Sequence, residues 1–570
     1  MELLGYANQL RTVAAFLVPA TFASLSQAQN TFVNQALARG VNYTVGSNNS
    51  FIGQGVALAD LNGNGHLDII ALGANSGVVG IFQNNGSGQF TNRSAQSGIP
   101  PTTWVTSVTA IDFDGDGDLD LHLVRAGHPD RLYRNDGNFS FTDVSVASGL
   151  NSGGYGIGAN WADYDGDGWL DVYLCNRTGT EGNFIENQLF RNNGNGTFTD
   201  VSVQLGVQAT GDPTLLALWF DFDNDGDPDL YLGTDKGFDS PFTNRLYRNN
   251  GDGTFTEITQ QANMEANLDC MGFAVGDISG NGFQDVYMTN LPPGNLLMLN
   301  NGDGTFSDAT AAAELEVFAL GWATGFFDYD NDTDLDLFVC NEMAPNRLFR
   351  NNGSFPFTDV TPTSGLGELA TSYTFAYGDI DGDGDLDMIV SNINQPLRVF
   401  INTVGQDNHW IKLNVVGYGP NTKAIGAVVR LTANNISQMR EVFSGGNYLS
   451  QNQTVLHFGL GPFTLATQTI EVRWPNSNVR RTLTGYPANH TWNIYPPSRL
   501  GDVNNDGVIS TSEIEQAIHV MQALGGGELQ PGHEIFDING DCRVTLIDIL
   551  AMTKRLQSAS GSNSPAVRTP

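Results

Sequence analysis

Seven short acidic loops recur along this chain at spacings of 51 to 58 residues, and no other feature restricts the fold as strongly. They begin at Asp60, Asp112, Asp163, Asp221, Asp277, Asp328 and Asp379. A unit of this length cannot bury its own apolar face, so neighbouring units must stack to share a core.

Within each loop, oxygen-bearing side chains stand at alternate positions. The third position holds Asn62, Asp114, Asp165, Asp223, Ser279, Asp330 and Asp381, and the fifth holds Asn64, Asp116, Asp167, Asp225, Asn281, Asp332 and Asp383. The ninth is always aspartate: Asp68, Asp120, Asp171, Asp229, Asp285, Asp336 and Asp387. The seventh varies through His66, Asp118, Trp169, Asp227, Phe283, Asp334 and Asp385, a mixture that suits a backbone carbonyl and no common side-chain role. Calcium takes six to eight oxygens at adaptable angles, so alternate side chains on a tightly curled loop can converge on one ion. The spacing therefore predicts up to seven Ca2+ sites.

The fourth position is glycine or asparagine throughout, and the sixth is glycine except at Thr333, as expected where the backbone enters positive φ. The loop from Asp328 should accordingly be the most strained. The loops from Asp60 and Asp277 carry only two carboxylates each and should hold calcium most weakly, so that loading proceeds in steps.

Around every loop the sequence reads as strands: an apolar lead-in, then segments such as L-D-V-Y-L, L-F-R-N-N-G and F-T-D-V. Four short strands per unit make a propeller blade, and the expected class is mainly β, a seven-bladed β-propeller over 29–404. The acidic loop joins the first and second strands, which places all seven loops on one rim. The last unit lacks its fourth strand, whereas an unpaired Thr31-Phe32-Val33-Asn34 stands before the first, so the N-terminal segment is expected to close the ring.

These repeats resemble the integrin-α type of propeller repeat, also found in bacterial surface proteins and in the cartilage acidic protein family. The resemblance implies that recognition lies on the face opposite the calcium loops. Two connections there are long, Asn176 to Asn187 and Thr234 to Asn244, and bring Arg177, Glu181, Glu186, Asp235, Lys236 and Asp239. Trp104, Tyr155, Phe318 and Tyr373 begin inner strands nearby. A glycan or protein ligand is the expected partner of that face.

Beyond Asp407 the acidic period stops. H-W-I-K-L-N-V-V-G, N-T-K-A-I-G-A-V-V, V-L-H-F-G-L-G and V-R-W-P-N-S follow in order and resemble the ASPIC/UnbV domain, here read as a separate β domain over 405–497. Lys423 and Ala424 depart from that family's usual polar pair, and His457 reads as a packed strand residue.

A third module is expected over 498–557. Asp502, Asn504, Asp506, Val508, Ser510 and Glu513 have the spacing of a helix-loop-helix calcium loop, with Val508 acting through its carbonyl. Asp537, Asn539, Asp541, Arg543, Thr545 and Asp548 form a second copy in which Cys542 replaces the turn glycine. The pair resembles a dockerin, which implies one or two further calcium ions and a cohesin-like partner. Thr511 and Ser512 match the hydroxyl pair such modules use, while Leu546 and Ile547 do not.

The N-terminal 28 residues, with Arg11, an apolar Val13 to Leu25 and Ser26-Gln27-Ala28, read as a secretory signal cut after Ala28. The mature protein is then secreted or cell-surface, with no transmembrane segment. Residues 558–570 read as a disordered tail. With 61 acidic against 26 basic residues and a net charge of −35, nucleic acid is an improbable partner and cations are natural ones. Cys175 and Cys340 hold matching places in two repeats and should lie apart, which argues against a disulfide framework. No H-E-x-x-H, G-x-S-x-G or phosphate-cradling loop occurs, so a non-catalytic binding or scaffold role is expected. The alternative is an extracellular enzyme, either calcium-assisted and polysaccharide-cleaving or acting on a small metabolite, with its acid among Glu181, Glu186 and Asp239.

Overall fold

The computed structural model describes residues 31–46, 53–177, 185–235, 242–292, 294–405, 407–462, 469–505, 508–525 and 529–561. The expected signal segment, Glu181, Lys236, Asp239, Asp506 and the tail from 562 lie outside them.

Between residues 32 and 402 the chain forms seven four-stranded antiparallel sheets of the propeller type. In the second sheet these strands are Val105–Ile111, Asp120–Arg125, Arg131–Asn135 and Phe141–Asp143, with the acidic loop joining the first two. Second strands such as Asp120–Arg125 and Asp229–Thr234 are buried on both sides, as packing between neighbouring sheets requires. The seventh sheet takes its fourth strand from the N-terminal end, where Phe32–Asn34 pairs antiparallel with Arg398–Asn402 and Phe32 stands opposite Asn402. Its first strand, Ser372–Gly378, packs beside Val56–Ala59 of the first sheet.

Short helices that the strand pattern did not show follow the fourth strands, among them Ser145–Ser148, Ser202–Leu205, Thr310–Ala313 and Thr361–Ser364. The first hydroxyl of each accepts a third-strand amide, as Ser145 Oγ does from Leu132 N at 2.9 Å. A single turn closed through its own side chain leaves no helical period to read.

Residues 409–494 build two further sheets. One has three strands, Leu456–Gly461, His409–Val415 and Thr491–Ile494; the other has four, Ile436–Glu441, Val428–Ala433, Thr469–Arg473 and Arg480–Thr484. Residues 442–455 of this region run between the first strands of the propeller sheets. Gln451 N donates to Val56 O, Leu58 N donates to Gln451 O, and the Gln451 amide brackets Ala110. Ser444 brackets Trp161, Phe273 N donates to Asn447 O, and Gln453 N donates to Tyr377 O. First strands have one edge without a sheet partner, and the polar side chains of S-G-G-N-Y-L-S-Q-N-Q satisfy part of it.

The C-terminal helices are Thr511–Leu524 and Leu546–Gly561, the first opened by a capping box between Ser510 and Glu513. This module is tied to the preceding sheet: Thr484 N donates to Gly540 O at 2.9 Å, and Tyr486 Oη donates to Asp537 Oδ2 at 2.7 Å. All four cysteines are buried and free.

Candidate metal centre

The acidic loops curl as their glycine and asparagine positions demand. Every fourth and sixth residue has positive φ, including Asn224 at 63°, Asn331 at 58° and Thr333 at 94°. Thr333 is the β-branched residue among them and carries the strain expected of that loop.

The curl is held by the first-position carboxylate. Asp112 accepts from Gly115 N at 2.8 Å through one oxygen and from Gly117 N at 3.0 Å through the other. The ninth-position carboxylate is buried beneath: Asp120 accepts from Phe113 N and from Asn135 N. Burial pushes these carboxyls up, Asp68 and Asp285 to about 7 and Asp120 to about 8, with Asp171, Asp229, Asp336 and Asp387 also well raised. A site that raises so many carboxyls favours either protons or a cation.

Five of the seven loops bring three carboxylates together, with one oxygen from each within 4.8 Å of the others. These are Asp112, Asp114 and Asp120; Asp163, Asp165 and Asp171; Asp221, Asp223 and Asp225; Asp328, Asp330 and Asp332; and Asp379, Asp381 and Asp387. In four of these groups one buried oxygen has no hydrogen-bond partner: Asp114 Oδ1, Asp221 Oδ1, Asp330 Oδ1 and Asp381 Oδ1. An ionised oxygen in that position is costly unless a cation completes it, so the donor set fits a hard metal ion. Among the described residues, no such group forms around Asp60 or Asp277, the two loops with the fewest carboxylates.

One component of the site was not recognised in the sequence. The asparagine at the end of the third strand stitches adjacent loops through its side chain in six of the seven sheets. Asn135 Nδ2 donates to Leu119 O in its own sheet and to Leu61 O in the preceding loop, both at 2.9 Å. Asn192, Asn249, Asn300 and Asn402 reach back in the same way to Phe113, Tyr164, Phe222 and Tyr329. Asn84 of the first sheet donates to Ile380 O in the seventh at 2.7 Å. Its invariance across all seven repeats was the available signal.

The resemblance implied recognition on the face opposite the rim. The rim has a further role that the repeats did not announce, because residues of the β domain contact its loops. Lys412 pairs with Asp379, Arg473 pairs with Asp221, and Thr422 hydrogen-bonds Asp112. Gly461 N donates to Asn331 O, and a side chain at Gly459 would collide with the Asp328 carboxylate. His457, buried as expected, contacts Gly384 O through Nε2 at 2.9 Å. Its strand role was legible, its place against the seventh loop was not.

Of the residues expected on the opposite face, Arg177 and Asp235 link the two long connections, with Arg177 Nε donating to Asp235 Oδ2 at 2.6 Å. Glu186 Oε2 accepts from Gly211 N. Tyr373 packs edge-on to Trp322 at 4.5 Å, and Tyr448 of the inserted segment lies 5.4 Å from the same indole. Tyr155 is buried, Trp104 packs on His128 at 5.9 Å, and Phe318 is exposed and outside this cluster. A cavity of about 90 Å³ remains between the inserted segment and the sheets, lined in part by Gln284, Asp328, Arg440, Glu441 and His457. It has room for about three waters, well short of the roughly 300 Å³ of a small-molecule site.

In the C-terminal pair, Asp537 is buried, and its oxygens accept from Gly540, Asp541 and Cys542 amides as well as from Tyr486. Cys542 has φ 62°, the conformation its glycine counterpart would adopt freely. Glu513 accepts from Val503 N and Ser510 N.

Repeated four-stranded sheets with carboxylate loops between first and second strands define a propeller-type repeat protein, and the chain belongs to the FG-GAP-like repeat family, which matches residues 60–123, 113–174, 177–232, 221–288, 280–339 and 328–390. Residues 417–500 match ASPIC and UnbV. Among curated relatives, the chain is similar to cartilage acidic protein 1 of Homo sapiens, 26% identical over 487 residues that cover 76% of this chain and 70% of the relative. The Mus musculus protein of that name is 25% identical over 520 residues, covering 80% and 76%. A solved structure of BBS1N in complex with ARL6DN is 10% identical and covers 66% of this chain and 98% of that one, at a TM-score of 0.42. Among the described residues, no helix is long and apolar enough to cross a membrane.

Proposed function

We propose that this protein is an exported, calcium-loaded, seven-bladed propeller that acts as a non-catalytic binding or scaffold module. The observation that carries the reading is the convergence of three carboxylates in each of five loops, with buried oxygens of Asp114, Asp221, Asp330 and Asp381 left without partners. Bound calcium would supply positive charge to those oxygens, and the loops would supply its side-chain ligands. The seven sheets are the blades, and the pairing of Phe32 with Asn402 together with the Asn84 to Ile380 bond supports one closed ring.

A glycan or protein ligand belongs on the face opposite the rim, around the two long connections that Arg177 and Asp235 link. The enzyme reading has less support because residues 442–455 run between the first strands of the sheets and the cavity beside them holds about 90 Å³. The C-terminal pair is proposed to bind one or two calcium ions, and Leu546, Ile547 and Leu550 stay exposed at the start of its second helix, where a cohesin-like partner would meet it.

Chelation tests the calcium reading. Removing calcium should lower the melting temperature and open the chain to protease. Unchanged melting and digestion in excess chelator would rule the reading out. A glycan array with product analysis then separates binding from turnover, since new reducing or unsaturated ends would restore the enzyme.

A further inference from the structure

The seven loops use their fifth residue in the same way up to one atom. In the five acidic loops, one oxygen of the fifth carboxylate accepts from the seventh amide. Asp116 accepts from Asp118 N, Asp167 from Trp169 N, Asp225 from Asp227 N, Asp332 from Asp334 N and Asp383 from Asp385 N. The second oxygen meets Arg191 at Asp167 and Arg350 at Asp332, and at Asp116, Asp225 and Asp383 it is a carboxylate oxygen able to take a cation. In the first and fifth sheets the residue is asparagine, and Asn64 and Asn281 accept from His66 N and Phe283 N through Oδ1. Their remaining atom is an amide nitrogen, which cannot ligate a metal.

That nitrogen has a partner. Asn281 Nδ2 donates to Asn300 O at 2.7 Å, and Asn64 Nδ2 donates to Asn84 O at the longer distance of 3.5 Å. A flipped amide would set N–H against N–H and oxygen against oxygen, so the hydrogen bonds on both sides define the orientation. Each bond ties the loop to the third strand of its own sheet.

In two of the acidic loops an arginine pairs with both the third and the fifth carboxylate. Arg191 pairs with Asp165 and Asp167, and Arg350 pairs with Asp330 and Asp332. In the seventh sheet the third strand has Ile401 at that place, and Arg39 reaches Asp381 at 2.8 Å instead. The first and fifth sheets have Gln83 and Leu299 there. At the fifth loop, Arg430 also donates to Gly282 O at 3.0 Å, which sets a protein cation against the loop backbone.

We infer that the loops of the first and fifth sheets are closed by an asparagine amide bond to the third strand and take no ion, so that the propeller binds five ions and not seven. The inference rests on the calcium reading of the other five loops. Calcium per chain and the melting temperature, with and without chelator, are to be measured on the full chain and on Asn281→Ala, Asn64→Ala and Asp330→Asn. Asn281→Ala should keep the wild-type ion count and lower melting by the same amount whether or not calcium is present. Asp330→Asn should lose one ion and show its melting defect only with calcium. If Asn281→Ala does not fold, Asn64→Ala, whose bond is weaker, gives the same readout. Loss of one ion in either asparagine variant, or a melting defect that vanishes in chelator, overturns the inference while leaving calcium in the five acidic loops. A full chain that holds no calcium above the background of a chelator-treated control sinks the calcium reading and this inference with it.

Discussion

Replacing Asn84 by alanine removes four hydrogen bonds at the junction between the first and seventh sheets. The side chain donates to Leu67 O at 3.0 Å and Ile380 O at 2.7 Å, and it accepts from Gly86 N at 2.9 Å and Gly88 N at 3.1 Å. The bonds to Ile380 and Gly88 are buried. Stranding a buried polar group costs about 1–3 kcal/mol, and the partly wet pair adds somewhat less, so the loss should be about 3–5 kcal/mol. Asn192→Ala, between the third and second sheets, should cost a similar amount, because Asn192 makes the same contacts to Phe113 and Leu170. Guanidinium unfolding of both variants in saturating calcium measures this. A cost below about 1 kcal/mol at Asn84 with the full cost at Asn192 would show that the first and seventh sheets do not depend on this stitch. Small costs at both would refute the stitching role altogether.

Calcium-free protein should become less stable as pH rises from about 4 to 8, because Asp68, Asp120 and Asp285 are raised to about 7, 8 and 7 by burial. A raised carboxyl holds its proton in the folded state over that range and loses the associated stability as pH climbs through its folded value. Calcium should flatten the trend, which melting curves at several pH values would reveal. Lys412→Met leaves the Asp379 carboxylate buried without its partner and should destabilise the joint between rim and β domain by about 3 kcal/mol, seen as faster proteolysis within 409–494. Thr333→Gly relieves a β-branched residue at φ 94° and should raise stability by about 1 kcal/mol in denaturant titration.

Much of the fold was legible because it rests on local chemistry. Glycine and asparagine at the fourth and sixth loop positions announced positive φ, and the unpaired Thr31 to Asn34 announced the strand that completes the last sheet. The two loops expected to be weak are the two that form no carboxylate group. His457 read correctly as a strand residue because alternation is a property of its own segment. The short helices after the fourth strands escaped notice because one turn has no period.

The sequence by itself determined the repeat, the strand order within each sheet and the positions that curl and charge the loops, since each depends on residues within one unit. Only the tertiary structure decided what the loops face. The contacts of Lys412 with Asp379, of Arg473 with Asp221 and of Gln451 with Ala110 join residues 33, 252 and 341 positions apart, and nothing in either partner's local sequence specifies the other. The same holds for Asn84, whose amide looks like any turn asparagine until the seventh sheet is set beside the first. Orientation of a side-chain amide is also a tertiary fact. Asn281 reads in sequence as a neutral ligand, and only the carbonyl of Asn300 shows its nitrogen standing where the acidic loops keep an oxygen.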